Sequence, residues 1–285
     1  MKKILIIGAG AMGSAFSLPC IENNNKVTLI GTQIESKLIK KLKKNRYHPL
    51  LKSQLPKKLK ILDCKFLKTE LKKNYNYVVI AVSSKGIDWV SQELVNNYVK
   101  KYCLIILTKG LSVYKNKIIT ISNKINNAFR IRGLPKQNIT SIKGPCLAAG
   151  LINKVRTSTV IANQNISIAN QVSKSISTDY YNTEVTKDVI GVEILGAVKN
   201  IYAMLIGASI GLSGYKLDEN IRRKYFHNTS SALFTKSLNE MEIFTKKMNG
   251  RPETVYGLAG LGDLYVSIAG GRNSKMGYYL GNGKK

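Results

Sequence analysis

The chain has 285 residues, 44% of them hydrophobic, with 45 Lys plus Arg against 16 Asp plus Glu and a formal net charge of +29. That length accommodates two domains of ordinary size, each with its own core, and the hydrophobic share excludes a chain disordered throughout. The charge favours anionic, phosphorylated ligands, but it is carried mostly by lysines scattered singly or in pairs (Lys40-Lys41, Lys57-Lys58, Lys72-Lys73), which argues against a nucleic-acid stripe.

Cys20, Cys64, Cys103 and Cys146 lie far apart, and with His48 and His227 they form no metal-type spacing, so no metal is expected. Scattered thiols fit a reducing compartment. The first apolar run is too short for a signal peptide. The uncharged run between Lys199 and Lys216 has sixteen residues, short of the ~20 that span a bilayer. A cytoplasmic protein with no stable membrane insertion is the expectation.

Lys3-Ile4-Leu5-Ile6-Ile7 is a continuous apolar, β-branched run of the kind buried on both faces of a parallel sheet. Gly8-Ala9-Gly10-Ala11-Met12-Gly13 follows, then a helix start at Ser14-Ala15-Phe16. This is G-x-G-x-x-G in its strand–turn–helix setting, so Gly8, Gly10, Ala11, Met12 and Gly13 are candidate dinucleotide ligands. Gly8 permits the tight turn, Gly10 lets backbone approach a pyrophosphate, and Gly13 lets helix and strand pack closely. After the next strand, Lys26–Ile30, come Gly31, Thr32 and Gln33, with Glu35 close by. No arginine marks a 2′-phosphate there, so the cofactor expectation is NAD, with NADP possible.

Further strands read at Asn76–Val82, Cys103–Thr108, Asn138–Ile142 and Ser158–Ala162, with lysine-rich helical stretches such as Glu35–Lys44 and Ile87–Lys100 between several of them. The alternation gives an α/β chain with a doubly wound parallel (Rossmann) sheet over residues 1–185. Ligands of such sheets lie beyond the carboxyl ends of strands, which points to Ser83-Ser84-Lys85, Lys109-Gly110 and Lys143-Gly144-Pro145-Cys146. From Thr186 strand signals stop, and residues 186–285 read as an all-helical C-terminal domain, with helices near 188–212 and 218–249, the latter breakable around Arg222–Phe226. The segment from Asp188 to Leu212 is apolar nearly all round, so it reads as a buried helix, and Lys199 within it needs a partner or a task. Asp188 is a candidate helix cap, and Asp263 reads as a helix N-cap.

The motifs add up to a family. Gly8–Gly13, Asn45-Arg46-Tyr47-His48-Pro49, Lys109-Gly110, Gly144-Pro145-Cys146-Leu147-Ala148, Glu193–Asn200, Gly260–Leu264 and Gly271-Arg272-Asn273 together resemble the NAD(P)-dependent glycerol-3-phosphate dehydrogenases. The likeness runs from end to end, and the E-x-L-G-A-x-K-N helix followed by G-L-G-D-L and G-R-N is its most specific part. It implies hydride transfer between dihydroxyacetone phosphate and sn-glycerol 3-phosphate, on a homodimer. Lys199 would be the proton donor and acceptor, with Lys109 and Asp263 beside it. Gly144, Cys146, Asn200, Gly271, Arg272 and Asn273 would line the substrate, and Lys109, Ala148 and Arg272 would touch the cofactor. Burial and the Lys109 cation would push the Lys199 pKa down, while Asp263 would oppose that and orient the amine.

The chain departs from the pattern in three places. Gly150 stands where many relatives have glutamate, Ser83 where a proline is common, and relatives continue for several tens of residues past G-R-N, so a short second domain is expected. Two other readings compete. One is a ketopantoate or 3-hydroxyacid reductase of the same architecture, which would read a carboxylate. The other is a non-catalytic nucleotide- or nucleic-acid-binding protein on this fold.

Overall fold

The structure is a computed structural model and describes residues 1–99, 102–212 and 219–283. Lys100, at the end of the expected Ile87–Lys100 helix, and the terminal Lys284-Lys285 lie outside the described residues, and that helix already stops at Asn96. The chain forms two compact units: residues 1–142 with 146–189, and residues 143–145 with 190–285.

The first unit is built on one sheet. In chain order its strands are β1 (Lys3–Ile7), β2 (Lys26–Ile30), β5 (Lys60–Leu62), β6 (Tyr77–Ile80), β7 (Cys103–Ile106), β10 (Ile139–Lys143), β11 (Thr157–Ala162) and β12 (Tyr181–Thr186), with the short hairpins β3 (Tyr47–His48)/β4 (Ser53–Gln54) and β8 (Leu111–Tyr114)/β9 (Lys117–Thr120) set apart. The spatial order is β12-β11-β10-β7-β6-β1-β2-β5. β1 pairs in parallel with both β2 and β6, and the β6–β7, β7–β10, β2–β5 and β11–β12 pairs are parallel as well.

The apolar runs alternate between two cores. Ile4 and Ile6 of β1, Tyr77 and Val79 of β6 and Ile105 of β7 face one core. Leu5, Ile7, Val78, Ile80, Leu104 and Ile106 face the other. Helices α1 (Ala11–Glu22) and α7 (Ile166–Ile176) cover the first face through Ala15, Phe16, Cys20, Ala169, Val172 and Ile176. Helices α3 (Leu67–Leu71), α4 (Ile87–Asn96) and α5 (Ile121–Ile131) cover the second through Leu67, Leu71, Val90, Leu94, Ile125 and Phe129. A sheet covered on both faces is why the central strands β1, β6 and β7 read as hydrophobic runs.

The six interior strands expected from sequence are all present: β1 and β2 have the expected bounds, β6 and β7 are shorter by three and two residues, β10 is shifted by one, and β11 is longer by one. The edge strands β5 and β12 carry no such run. β12 leaves Asn182 and Glu184 exposed, and β5 is only three residues long. The β8/β9 turn uses Lys115 and Asn116 at φ 48° and 58°, a type I′ geometry for which Asn-Gly would have been the usual signal. The helix expected at Glu35–Lys44 begins as a 3-10 turn at Gln33–Glu35 and continues as α2 (Ser36–Asn45).

One carboxylate is buried at the amino-terminal edge of this sheet. Glu70, 3% exposed, accepts hydrogen bonds from the Tyr75 hydroxyl, from Lys73 Nζ at 2.7 Å and from Lys60 Nζ at 3.2 Å. Burial pushes its pKa up, but the three donors together outweigh burial and hold it below the ordinary 4.5.

The second unit is helical: α8 (Val189–Leu212), α9 (Glu219–Lys247), α10 (Asp263–Gly270) and α11 (Arg272–Gly281). The stretch expected to break near Arg222–Phe226 is one continuous helix in α9. α11 packs on α8 at backbone contact. A Cβ on Gly207 would meet Ser274 O at 2.1 Å, and one on Gly277 would meet Met204 O at 2.0 Å; Gly211 and Gly281 repeat the pattern one turn on. α8 is long and apolar enough to cross a membrane by length and composition, and 61% of that window is buried within the protein. Its amino-terminal half is buried as expected, but Ile201, Leu205 and Leu212 are exposed on one face, so the sequence overstated burial of the second half.

The depressed Glu70 carboxyl contributes stability that is present above the ordinary carboxylate pKa and is lost as pH falls through its lower folded value. Glu70→Gln is therefore expected to lower the melting temperature at pH 7 and to narrow its gap to the wild type as pH falls below about 4.5. Thermal melts between pH 3 and 7 check this, and parallel curves would contradict it.

Candidate active site

At the carboxyl end of β1 the chain turns through Gly8, whose φ of +111° is left-handed. A Cβ there would lie 2.8 Å from the Ala81 carbonyl, and one on Gly13 would lie 2.1 Å from Gly8 O. Both positions exclude a side chain, the first by conformation and close approach, the second by packing of α1 on the turn. Gly10 differs. Its Cβ would meet only Glu35 Oε1, at 3.7 Å, so that side of the turn is open. Gly10 caps α1, and the first helical residues, Ala11 and Met12, direct amides that lack intrahelical acceptors toward the same opening. The cradle fits a dinucleotide's pyrophosphate.

Two side chains absent from the sequence-based site set hold this turn by Ala9. The Ala9 amide donates to Glu35 Oε2 at 3.0 Å, and the same oxygen accepts from the Thr32 amide at 2.7 Å and Thr32 Oγ1 at 3.0 Å. The Ala9 carbonyl lies 3.1 Å from His48 Nε2 and accepts from Ser14 Oγ at 2.9 Å. His48 is fully buried, and its Nδ1 faces the Leu51 amide at 3.3 Å. An amide can only donate, so Nδ1 is the acceptor, the ring proton sits on Nε2, and Nε2 donates to Ala9. Arg46, in the left-handed C-cap of α2, anchors the arm that carries His48 by donating to the Pro56 and Leu59 carbonyls. The sequence signal for this clamp was the Arg46-Tyr47-His48-Pro49 motif itself, which says nothing of where the ring points.

Other expected residues of the first unit follow strand ends. Lys109 and Gly110 come just after β7, with Gly110 at φ +144° and a Cβ there 3.1 Å from Ser84. Thr108 Oγ1 ties that turn to the Val82 carbonyl at 2.7 Å. The Cys146 side chain is buried in the core, so a ligand can meet only its backbone. Ala148 opens the short α6 (Ala148–Ile152).

In the second unit Lys199 lies on α8 and is 4% exposed, while Asp263 is 1% exposed. The Lys199 ammonium forms an ion pair with Asp263 Oδ1 and donates to Ser267 Oγ at 2.7 Å and to the Asp263 carbonyl at 3.3 Å. Ser267 in turn donates to the Asp263 carbonyl at 2.7 Å. Asp263 is not the helix cap its position suggested. Gly262 caps α10, and Asp263 is the first helical residue, with its carboxylate turned to the lysine. The π-helical turn Leu258–Gly262 delivers it there, and a Cβ on Gly260 would strike Val255 O at 2.1 Å.

Lys143, which the sequence placed at the ligand edge of the sheet without a role, is a further buried cation. It is 2% exposed, and its stem lies against Gly196, where a Cβ would come within 2.9 Å of Lys143 Cδ. Gly196 sits three residues before Lys199, so α8 is free of side-chain bulk where Lys143 passes. Gly144, next in the chain, has φ +138° and is buried. Asn200 is half-buried on α8. Arg272 is exposed at the first position of α11, with Gly271 as its cap and Asn273 half-buried beside it.

A glycine turn on a parallel, doubly wound sheet, with a helical unit holding a buried lysine–aspartate pair, defines a dinucleotide-dependent dehydrogenase. Residues 3–169 match the N-terminal model of NAD-dependent glycerol-3-phosphate dehydrogenase and residues 188–285 match its C-terminal model; the chain belongs to that family. It is 31% identical over 283 residues to the NADP(+)-dependent glycerol-3-phosphate dehydrogenase of Archaeoglobus fulgidus, covering 98% of this chain and 80% of that one. It is 28% identical to a Clostridium botulinum glycerol-3-phosphate dehydrogenase [NAD(P)+], covering 99% of this chain and 80% of that one. The crystal structure of glycerol-3-phosphate dehydrogenase from Coxiella burnetii superposes with a TM-score of 0.82 at 28% identity, covering 99% of this chain and 81% of that one.

Removing the imidazole leaves Ser14 as the sole side-chain donor to the Ala9 carbonyl among the described residues. His48→Phe is expected to weaken dinucleotide binding by about tenfold, the equivalent of one modest hydrogen bond. Fluorescence titration with NADH measures this, and unchanged affinity in a folded variant would show the turn to be rigid without His48.

Proposed function

We propose that the protein interconverts dihydroxyacetone phosphate and sn-glycerol 3-phosphate with NAD(P). Membership of the family supports this, and the observation that carries it to the residues is the buried Lys199–Asp263–Ser267 cluster on α8 and α10. The glycine turn, with the amides of Ala11, Met12 and Gly13, holds the dinucleotide, and Lys109, Ala148 and Arg272 add contacts. When bound, the nicotinamide donates or accepts the hydride at C2.

A proton must accompany that hydride on the C2 oxygen. Lys199 supplies it toward the alcohol and takes it toward the ketone. Asp263 and Ser267 hold and orient the amine, and Lys109 and Asn200 complete the reacting end. Arg272 offers a planar fork matched to phosphate, Asn273 adds a neutral donor, and the first amides of α11 after Gly271 point the same way. Gly144 and Cys146 contribute backbone contacts. Phosphate binding away from C2 orients the carbon that reacts.

Glu35 supports the lean toward NAD. Its Oε1 borders the open side of the glycine turn, where it can accept from a ribose hydroxyl and would repel a 2′-phosphate. The reading takes the enzyme to be cytoplasmic, in keeping with its scattered thiols, and a homodimer, as the family resemblance implies. The four cysteines are free thiols.

Following NADH absorbance with dihydroxyacetone phosphate tests the activity, and no turnover by the wild type would overturn the reading. Lys199→Met is expected to lower kcat by roughly 10²–10⁴-fold while NADH affinity stays within a few-fold. The same change strands the buried Asp263 carboxylate, so about 3–5 kcal/mol of stability should be lost, and Lys199→Met/Asp263→Asn should recover much of it without recovering activity. Arg272→Ala is expected to raise the KM for dihydroxyacetone phosphate by about tenfold or more; an unchanged KM would remove Arg272 from the phosphate site.

A further inference from the structure

We propose that the first unit carries a second anion site, for a small polyphosphate compound, at the sheet edge opposite the glycine turn. A cavity of about 620 Å³ opens there. It lies at the amino-terminal ends of the strands, since Lys3 begins β1, Lys26 begins β2, Lys60 begins β5 and Tyr75 precedes β6. The volume falls in the range of small-molecule sites, roughly 300–1,000 Å³, and is generous for a lone phosphate.

Five of its fourteen lining residues are lysines: Lys3, Lys26, Lys58, Lys60 and Lys73. One carboxylate, Glu70, faces them, and it is already engaged by Lys60, Lys73 and Tyr75. Lys3, Lys26 and Lys58 form no ion pair among the described residues. Glu70 thus fixes two ammonium groups at one wall and leaves three more around the opening without a countercharge. Like charges gathered around one concavity repel one another, and an anion that neutralises them is favoured in proportion to its charge. A smaller concavity beside α2 is lined by Lys40, Lys43 and Lys65, but Asp63 pairs with Lys43 there; at the sheet edge five lysines converge.

The remaining walls select within that class. Asn24 and Asn74 bring amide groups, while Ile21, Val27, the Tyr75 ring and the lysine stems are apolar. Phosphates would sit among the ammonium groups and a planar organic moiety would lie on the apolar wall, which describes a nucleoside di- or triphosphate. The cavity and the glycine turn stand at opposite ends of β1, so both can be filled at once.

Calorimetric titration of the intact protein, with its glycine turn saturated by NADH at near-physiological salt, tests the site with inorganic tripolyphosphate and with ATP. One-to-one binding is expected for the wild type. Lys26→Ala/Lys58→Ala should weaken it by about tenfold or more, while the equally charged control Lys37→Ala/Lys174→Ala should leave it within about twofold. All four lysines are exposed, so neither double variant threatens folding. Tighter binding of ATP assigns the site to an organic polyphosphate, and equal binding assigns it to the phosphate chain alone. Absence of saturable binding, or an equal loss in both double variants, would show only diffuse charge and overturn the proposal.

Discussion

A charged amine inside a helical core dictates the architecture of the second unit. Lys199 is almost wholly buried on an apolar helix, and an ammonium there is untenable without a countercharge and further acceptors. Asp263 and Ser267, one turn apart on α10, provide both. The rest of the unit can be read as what it takes to bring α10 to that amine: the π-helical turn at Leu258–Gly262, the bare backbone at Gly260, and α11 seated on α8 through paired glycines. Those glycines matter beyond packing, because α11 begins at Arg272, and its backbone contact with α8 fixes where the guanidinium starts relative to the lysine.

The first unit solves a different problem, that of keeping a strained backbone turn in place. Gly8 is left-handed and jammed against Ala81, and the residue after it is pinned at both its amide and its carbonyl. Glu35 and His48 reach the turn from either end of α2. A turn so held has little conformational entropy left to lose when a pyrophosphate arrives, which is preorganisation in the ordinary sense. The neutral, Nε2-protonated state of His48 follows from its two partners, so the clamp depends on a single tautomer.

Net charge had suggested anion binding without locating it. The structure resolves that generality into distinct features: an exposed arginine at a helix start, two buried lysines in the second unit, and a lysine-lined cavity at the far edge of the sheet. Much of the remaining positive charge is solvated surface. Composition counts charges, whereas binding depends on whether they converge on a concavity.

The sequence by itself determined the class of fold, the glycine turn and the candidate lysine, because each has a local cause. A strand buried on both faces favours apolar residues at every position, as Ile4–Ile7 and Val78–Ile80 show, and a turn that excludes Cβ must be glycine, as Gly8 and Gly13 are. Edge strands escaped because solvent on one side relaxes that demand, as Asn182 and Glu184 of β12 show. What only the tertiary structure decided was the detail of partnership. The resemblance set Asp263 beside Lys199, but neither Ser267 on the same amine nor Ala9 against His48 could be read from the chain. Asp263 is 64 residues from Lys199 and Ala9 is 39 from His48, and hydrogen bonds across such separations leave no periodicity in the chain. The exposed stripe of Ile201, Leu205 and Leu212 has the same origin: an apolar residue records that it could be buried, and only the arrangement of the other helices determines whether it is.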